Sequence, residues 1–103
     1  MADVKQEAVD LKRKLKGFLT TSTKYELKDR HDLSVAYTPG VAEPCLLIKD
    51  NEEESFNLTC RGNMVAVVSD GTRVLGLGNI GAAAAMPVME GKALLFKKFG
   101  DVD

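Results

Sequence analysis

A tyrosine and a lysine are the residues of this chain best suited to acid/base chemistry. Tyr37 stands before Thr38-Pro39-Gly40, and Lys92 follows Glu90-Gly91. Proline restricts φ and favours extended backbone in the residue before it, so the motif predicts a rigid turn that fixes the Tyr37 ring. A phenol held in this way can donate a proton when a nearby cation stabilises the phenolate. A packed aromatic ring with a satisfied hydroxyl is the structural alternative.

Ala82 to Ala85 start a helical segment that Pro87 interrupts. Lys92 falls within the main predicted helix, which runs from Pro87, as first helical residue, to about Phe99, where Gly100 stops it. Helical spacing gives a polar side with Glu90, Gly91, Lys97 and Lys98, and an apolar side with Met89, Ala93 and Phe96. Lys92 belongs to the apolar side. A lysine there either extends its stem towards water or is held partly out of water. The second environment favours the neutral amine that a general base requires, and the residues alone leave both interpretations open.

The stretch Gly76-Leu77-Gly78-Asn79-Ile80-Gly81 matches the dinucleotide-binding pattern, which makes Gly76, Gly78 and Gly81 candidate cofactor-binding residues. That pattern binds pyrophosphate when it follows a parallel strand and when an acid ends the next strand. Here the preceding strand would be the return arm of a hairpin, and no apolar strand precedes Asp101. We therefore favour glycines that allow a strand and a helix to pack closely, and keep an autonomous nucleotide-binding domain as the weaker alternative.

The elements around these motifs follow from periodicity and capping residues. Helical spacing from Val4 to Phe18 predicts a first amphipathic helix with Asp3 as its cap and Gly17 at its end. A polar loop from Thr20 to Asp32, with a short strand around Tyr25, precedes a second helix from about Val41 to Lys49. Asn51 is expected to cap a short element that begins with three glutamates.

An apolar, β-branched run from Met64 to Ser69 is separated by Asp70-Gly71 from the run Thr72 to Leu75. This is the strongest short hairpin signal in the chain, and it predicts two antiparallel strands. The predicted fold class is therefore α/β, of α+β character, with helices packed on a small sheet that contains the hairpin.

Composition restricts the class of protein. A chain of 103 residues with a net charge of −1 predicts one modest domain and gives no electrostatic reason to expect nucleic acid as a partner. No apolar run reaches the length of a membrane span, and the N-terminus lacks a signal sequence core, so we expect a cytoplasmic protein without a membrane partner. Two cysteines and the single His31 predict no metal site within the chain.

Several motifs together resemble the N-terminal domain of malic enzymes, particularly the small-subunit prokaryotic type. They are Asp32 to Cys45, Arg61-Gly62-Asn63, Ser69-Asp70-Gly71-Thr72, Leu75 to Gly81 and Pro87 to Lys92. The resemblance runs in order from Gly17 onward. It implies oxidative decarboxylation of malate to pyruvate and CO2, with NAD or NADP as hydride acceptor and Mg²⁺ or Mn²⁺ as Lewis acid.

The resemblance also implies roles for individual residues. Lys92 matches the general base for the C2 hydroxyl of malate, and Tyr37 matches the general acid that protonates C3 of enolpyruvate. Arg73 aligns with an arginine that holds a malate carboxylate in the large-subunit branch, although an exposed strand arginine is the favoured interpretation here. In the family, the glycine-rich stretch lies in this substrate domain, the nucleotide binds a separate C-terminal domain, and the metal ligands lie outside this chain.

The resemblance therefore predicts that residues 1–103 are the N-terminal portion of the substrate domain, truncated at Asp103, with the C-terminal NAD(P)-binding domain absent. We expect the isolated chain to be inactive and the parent protein to be a homodimer that binds malate. A non-catalytic assembly or dimerisation module is the alternative from another functional class.

Overall fold

The computed structural model describes residues 3–103, which divide into two compact units. One unit comprises the described residues up to Thr20 together with Val65–Asp103, and the other comprises Thr21–Met64. The α-helices of the described chain are α1 (Val4–Leu15), α2 (Arg30–Ala36), α3 (Ala42–Asp50), α4 (Ser55–Leu58) and α5 (Ala82–Gly100). Short 3-10 helices span Glu52–Glu54, Cys60–Gly62 and Leu75–Leu77.

The predicted α/β class is wrong, because residues 3–103 contain helices and no β-strand. The predicted hairpin does not form, because the residues of its turn make other hydrogen bonds. The Asp70 carboxylate accepts hydrogen bonds from the amide and the hydroxyl of Thr72, at 3.0 and 2.8 Å, which forms an Asx turn and holds the pKa of this carboxyl below its ordinary value. The Gly71 carbonyl then accepts from the amides of Ile80 and Gly81, at 3.0 and 3.1 Å. These bonds join the turn to the glycine-rich loop, so the two predicted arms do not pair. The short strand expected around Tyr25 is also absent from the described chain.

Helix α1 confirms the first predicted helix. Asp3 caps it by accepting hydrogen bonds from the amides of Lys5 and Gln6. Beyond its end, Lys16 and Gly17 both have positive φ, 57° and 89°, and the Gly17 amide donates to the carbonyl of Lys12. This is the left-handed helix ending that glycine favours.

Helix α5 begins at Ala82, where a helical segment is predicted, but it continues through Pro87 instead of being interrupted there. An interior proline removes one helical hydrogen bond and costs about 3 kcal/mol in an isolated helix. Four alanines before it have the highest helix propensity, and Ala85 is buried to 1% exposure, so packing and propensity offset this cost. Gly100 is the last helical residue, and Asp101 takes the left-handed conformation that ends the helix.

The second unit confirms helix α3 and the Asn51 cap, whose side chain accepts from the amide of Glu53. Helix α2 was not predicted. Its cap is Asp29, which accepts from the amide of Asp32 at 2.9 Å. The pair of acids three residues apart was the available signal for this helix start.

Few side chains of the described residues are buried. They are Val74 and Ala85 in the first unit and Ser55 in the second. The Ser55 hydroxyl accepts a hydrogen bond of 2.8 Å from Arg61, whose guanidinium lies 4.3 Å from the centre of the Phe56 ring. No helix within residues 3–103 is long and apolar enough to cross a membrane.

Candidate active site

Tyr37 ends helix α2 and begins a tight turn. Its amide donates to the carbonyl of Leu33 at 2.9 Å, and its own carbonyl accepts from the amide of Val41 at 2.6 Å. The Gly40 amide returns to the carbonyl of Ser34 at 2.8 Å, and the Thr38–Pro39 peptide bond is cis. The backbone at Tyr37 is therefore fixed on both sides, as the motif predicts.

The Tyr37 side chain is not a packed ring within its own unit. It is 66% exposed, and its hydroxyl has no hydrogen-bond partner among residues 3–103. An exposed phenol on a rigid turn is free to meet a ligand. A second tyrosine, Tyr25, differs because its hydroxyl donates to Asp32 at 3.2 Å. Partial removal from water and this carboxylate raise the pKa of Tyr25, which makes its hydroxyl a weaker acid than an ordinary phenol.

Lys92 projects from the middle of helix α5 in the other unit. It is exposed, while Val88, Met89 and Ala93 around it are half-buried. Lys92 thus lies beside half-buried apolar residues and extends towards water, which is the first of the two environments considered for it. No hydrogen bond or ion pair within the described residues engages Lys92, so its ammonium group is available for a ligand.

Glu90 contradicts the division of this helix into a polar and an apolar side. Its side chain is only 14% exposed, and its carboxylate forms an ion pair of 2.9 Å with Lys12 of helix α1. The backbone amide of Phe18 donates to the same carboxylate at 3.4 Å. The hydrogen bond from Lys12 lowers the pKa of Glu90 despite its partial burial. Sequence reasoning missed this partner because Lys12 lies 78 residues away along the chain.

The glycine-rich loop has a specific backbone shape but lacks the setting of a dinucleotide site. Among residues 3–103 no strand precedes it. Gly78 and Gly81 have positive φ, 71° and 86°, and a Cβ on Gly76, Gly78 or Gly81 would meet nothing within 4 Å. The close-packing interpretation therefore does not apply to these three glycines. It applies to Gly71, where a Cβ would overlap the carbonyl of Gly81.

The remaining candidates are Arg73 and residues that could bind a metal ion. Arg73 is exposed on the bend between Gly71 and Val74 rather than on a strand. Among residues 3–103 no group of three or more His, Cys, Asp or Glu side chains could hold a metal ion. The resemblance places the ligands of Mg²⁺ or Mn²⁺ outside this chain, so the metal stays a prediction.

The comparisons with known proteins decide the family. The family model "Malic enzyme, N-terminal domain" matches residues 16–103. The chain belongs to the malic enzyme N-terminal domain family. It is 58% identical over 87 residues to the NAD-dependent malic enzyme of Geobacillus stearothermophilus, covering 84% of this chain and 18% of that protein. It is 50% identical over 101 residues to the NADP-dependent malic enzyme of Escherichia coli K12, covering 97% of this chain and 13% of that protein.

The backbone agrees with the same family. The crystal structure of malic enzyme from Pyrococcus horikoshii superposes with a TM-score of 0.93 at 49% identity, covering 98% of this chain. The chain spans 24% of that structure's length. The resemblance stated from the motifs is thus confirmed at the level of the family, while the matched relatives are four or more times longer than the chain.

Proposed function

We propose that the whole protein containing this chain oxidises and decarboxylates malate to pyruvate and CO2 with NAD or NADP. The match to the malic enzyme N-terminal domain over residues 16–103 is the observation that carries this proposal. The names of the relatives include both NAD-dependent and NADP-dependent enzymes, which supports a nicotinamide nucleotide as hydride acceptor and leaves the choice between the two open.

Lys92 acts as the general base in this proposal. When malate is oxidised at C2, its hydroxyl must lose a proton as the bound nucleotide accepts the hydride, and a neutral lysine amine can take that proton. The exposed ammonium beside half-buried residues of α5 leaves Lys92 accessible to a substrate.

Tyr37 acts as the general acid. Loss of CO2 leaves enolpyruvate, and C3 must gain a proton to form pyruvate. In this proposal the Tyr37 hydroxyl, which is exposed on a hydrogen-bonded turn, donates that proton. Neither proton transfer is drawn through the Mg²⁺ or Mn²⁺ ion, whose ligands the resemblance places outside this chain.

The test is the rate of NAD(P)H formation from malate by the whole protein and its Lys92→Met variant. We expect kcat to fall by about 10³-fold, which is within the range for loss of a general base. Lys98→Met is the matched control, because Lys98 is exposed on the same helix and takes no part in the proposal. A Lys92→Met protein with the normal rate would refute the proposal.

An assembly module is the second candidate, favoured by the large apolar side chains that the described chain exposes, such as Val68, Leu75 and Phe99 at 78% or more. The predicted homodimer belongs to this proposal. Size-exclusion chromatography at several concentrations tests it, and a monomer throughout that binds no hydrophobic dye would exclude an assembly role for the chain.

A further inference from the structure

The contact between Lys12 and Glu90 is the best-shielded ion pair of the described residues. The two side chains are 27% and 14% exposed, whereas every other ion pair includes a side chain at least half exposed. The Lys12 ammonium also lies 3.9 Å from the centre of the Phe18 ring. Shielding from water strengthens both contacts relative to an ion pair on the surface. Glu90 therefore joins α5 to α1 and to the turn that follows α1.

The turn after α1 is shaped to approach this carboxylate. Gly17 has a φ of 89°, and a Cβ at Gly17 would lie 2.6 Å from Oε2 of Glu90. The absence of a side chain there lets the Phe18 amide donate to the same oxygen. The Glu90 carboxylate thus interacts with an ammonium and a backbone amide, and Gly17 leaves the space that this approach needs.

Within residues 3–103, little apolar packing holds α5 against rotation about its axis. Ala85 is the only residue of this helix that is buried. An open cleft of about 180 Å³ lies beside Glu90, lined also by Leu19, Met86, Met89 and Phe96. Because little of α5 is buried among residues 3–103, the directional ion pair and hydrogen bond at Glu90 contribute strongly to fixing its rotation against α1.

Glu90 and Lys92 are two residues apart, which places them about 200° apart around the helix axis. The rotation that Glu90 fixes therefore also fixes the direction in which Lys92 extends. A helix rotation of about 5° moves a group about 6 Å from the axis by about 0.5 Å. A misplacement of about 1 Å can cost a catalytic group about 10²-fold in rate.

We propose that Glu90 is a positioning residue for Lys92: its ion pair with Lys12 and its hydrogen bond from Phe18 fix the rotation of α5 against α1. This inference rests on the proposed function, in which Lys92 is the general base. Glu90 touches no reacting atom. It acts through the direction of Lys92.

The test measures malate oxidation by the whole protein in the variants Glu90→Gln and Lys12→Met. We expect kcat to fall about 10-fold in each, with KM for malate within about 2-fold, because binding groups elsewhere are unchanged. The solvent deuterium isotope effect on kcat should rise, since a misdirected base makes proton transfer limiting. Lys14→Met is the matched control, because Lys14 is exposed on the same helix and has no partner among the described residues.

Two further variants separate positioning from general destabilisation. The double variant Glu90→Gln/Lys12→Met should be no slower than the slower single variant, because both changes remove the same contact. Lys12→Arg preserves the charge and should restore kcat to within about 2-fold of the wild type. A protein that is merely less folded would lose kcat in proportion to its circular dichroism signal and keep an unchanged isotope effect.

Wild-type kcat in both single variants would overturn the inference, as would additive losses in the double variant or an unchanged isotope effect. If Glu90→Gln does not fold, Lys12→Met decides alone, since it breaks the ion pair from the other helix. Lys92→Met separates the two proposals. An inactive Lys92→Met with a normal Glu90→Gln overturns only the positioning role, whereas an active Lys92→Met overturns the proposed function.

Discussion

The segment that carries Tyr37 and the helix that carries Lys92 are held by contacts of different range. Backbone hydrogen bonds between residues 33 and 42 fix the turn at Tyr37. Helix α5 is instead held by contacts with distant residues. Glu90 pairs with a lysine 78 residues away, and the two amides that precede the helix donate to the carbonyl of Gly71. A proton donor on a turn can thus be positioned by its neighbours in sequence. A base on a helix depends on what fixes the helix.

Gly71→Ala should have the largest effect on stability, because it disrupts the hydrogen bonds between the Gly71 carbonyl and the amides before helix α5. Gly71 is buried with a φ of 75°, and a new Cβ would overlap the backbone carbonyl of Gly81, which cannot move without displacing the start of α5. We expect a loss of about 3 kcal/mol or more in the free energy of unfolding, measured by urea unfolding of the chain. Gly76→Ala is the control, since its Cβ would meet nothing within 4 Å and its φ is not positive. Equal stability of the two variants would contradict this account of the loop.

Gly40→Ala tests the local turn. A Cβ at Gly40 would lie 2.6 and 2.7 Å from the carbonyl oxygens of Val35 and Ser34, so the turn at Tyr37 must open. We expect about 2 kcal/mol of destabilisation, together with amide chemical-shift changes confined to residues near Tyr37. Shift changes that extended into helix α5 would show that the turn is not the local element described above.

Gly17→Ala should have a smaller effect, about 1 kcal/mol, which arises from its positive φ. The new Cβ meets the end of the flexible Glu90 side chain rather than backbone, so the clash can be relieved. Combining Gly17→Ala with Glu90→Gln should give less than the sum of the two losses, because they share one contact. Strict additivity in urea unfolding would show that Gly17 and Glu90 act separately.

The smallest expected effect is the pH dependence of stability that arises from Glu90. The ion pair with Lys12 holds the pKa of Glu90 below its ordinary value in the folded chain. The unfolded chain therefore binds the proton more readily, and the stabilisation is present above the ordinary carboxyl range and is lost as pH falls through the lowered folded value. The Tm difference between the wild type and Glu90→Gln should be largest near pH 7 and shrink by about pH 3. A difference that grew on acidification would have the wrong sign.

The sequence correctly predicted the features that depend on neighbouring residues, such as helix caps and turns. Asp3, Gly17 and Asn51 mark the element boundaries that the structure confirms, because capping depends on residues within one turn. The Thr38-Pro39-Gly40 turn was predicted for the same reason. The motifs also identified the malic enzyme family, since several of them occur together in order.

The failures all involve contacts that local rules do not describe. Asp70-Gly71 signals a hairpin only if its two arms pair, and the Gly71 carbonyl is instead engaged by Ile80 and Gly81. Pro87 signals an interruption and a new helix start, but the helix that begins at Ala82 and buries Ala85 continues through it. Glu90 was assigned to the solvent because the spacing of a helix contains no information about Lys12. The roles of Tyr37, Lys92 and Arg73 remain predictions.

The central claim is that Lys92 and Tyr37 transfer protons at different steps, and two assays on the whole protein test it. NAD(P)H formation from malate needs the base, and exchange of the C3 protons of pyruvate with solvent deuterium needs the acid. Lys92→Met should lose the first activity by about 10³-fold and Tyr37→Phe the second by about 10²-fold, each affecting the other assay less. Normal exchange by Tyr37→Phe together with normal malate oxidation by Lys92→Met would contradict the account.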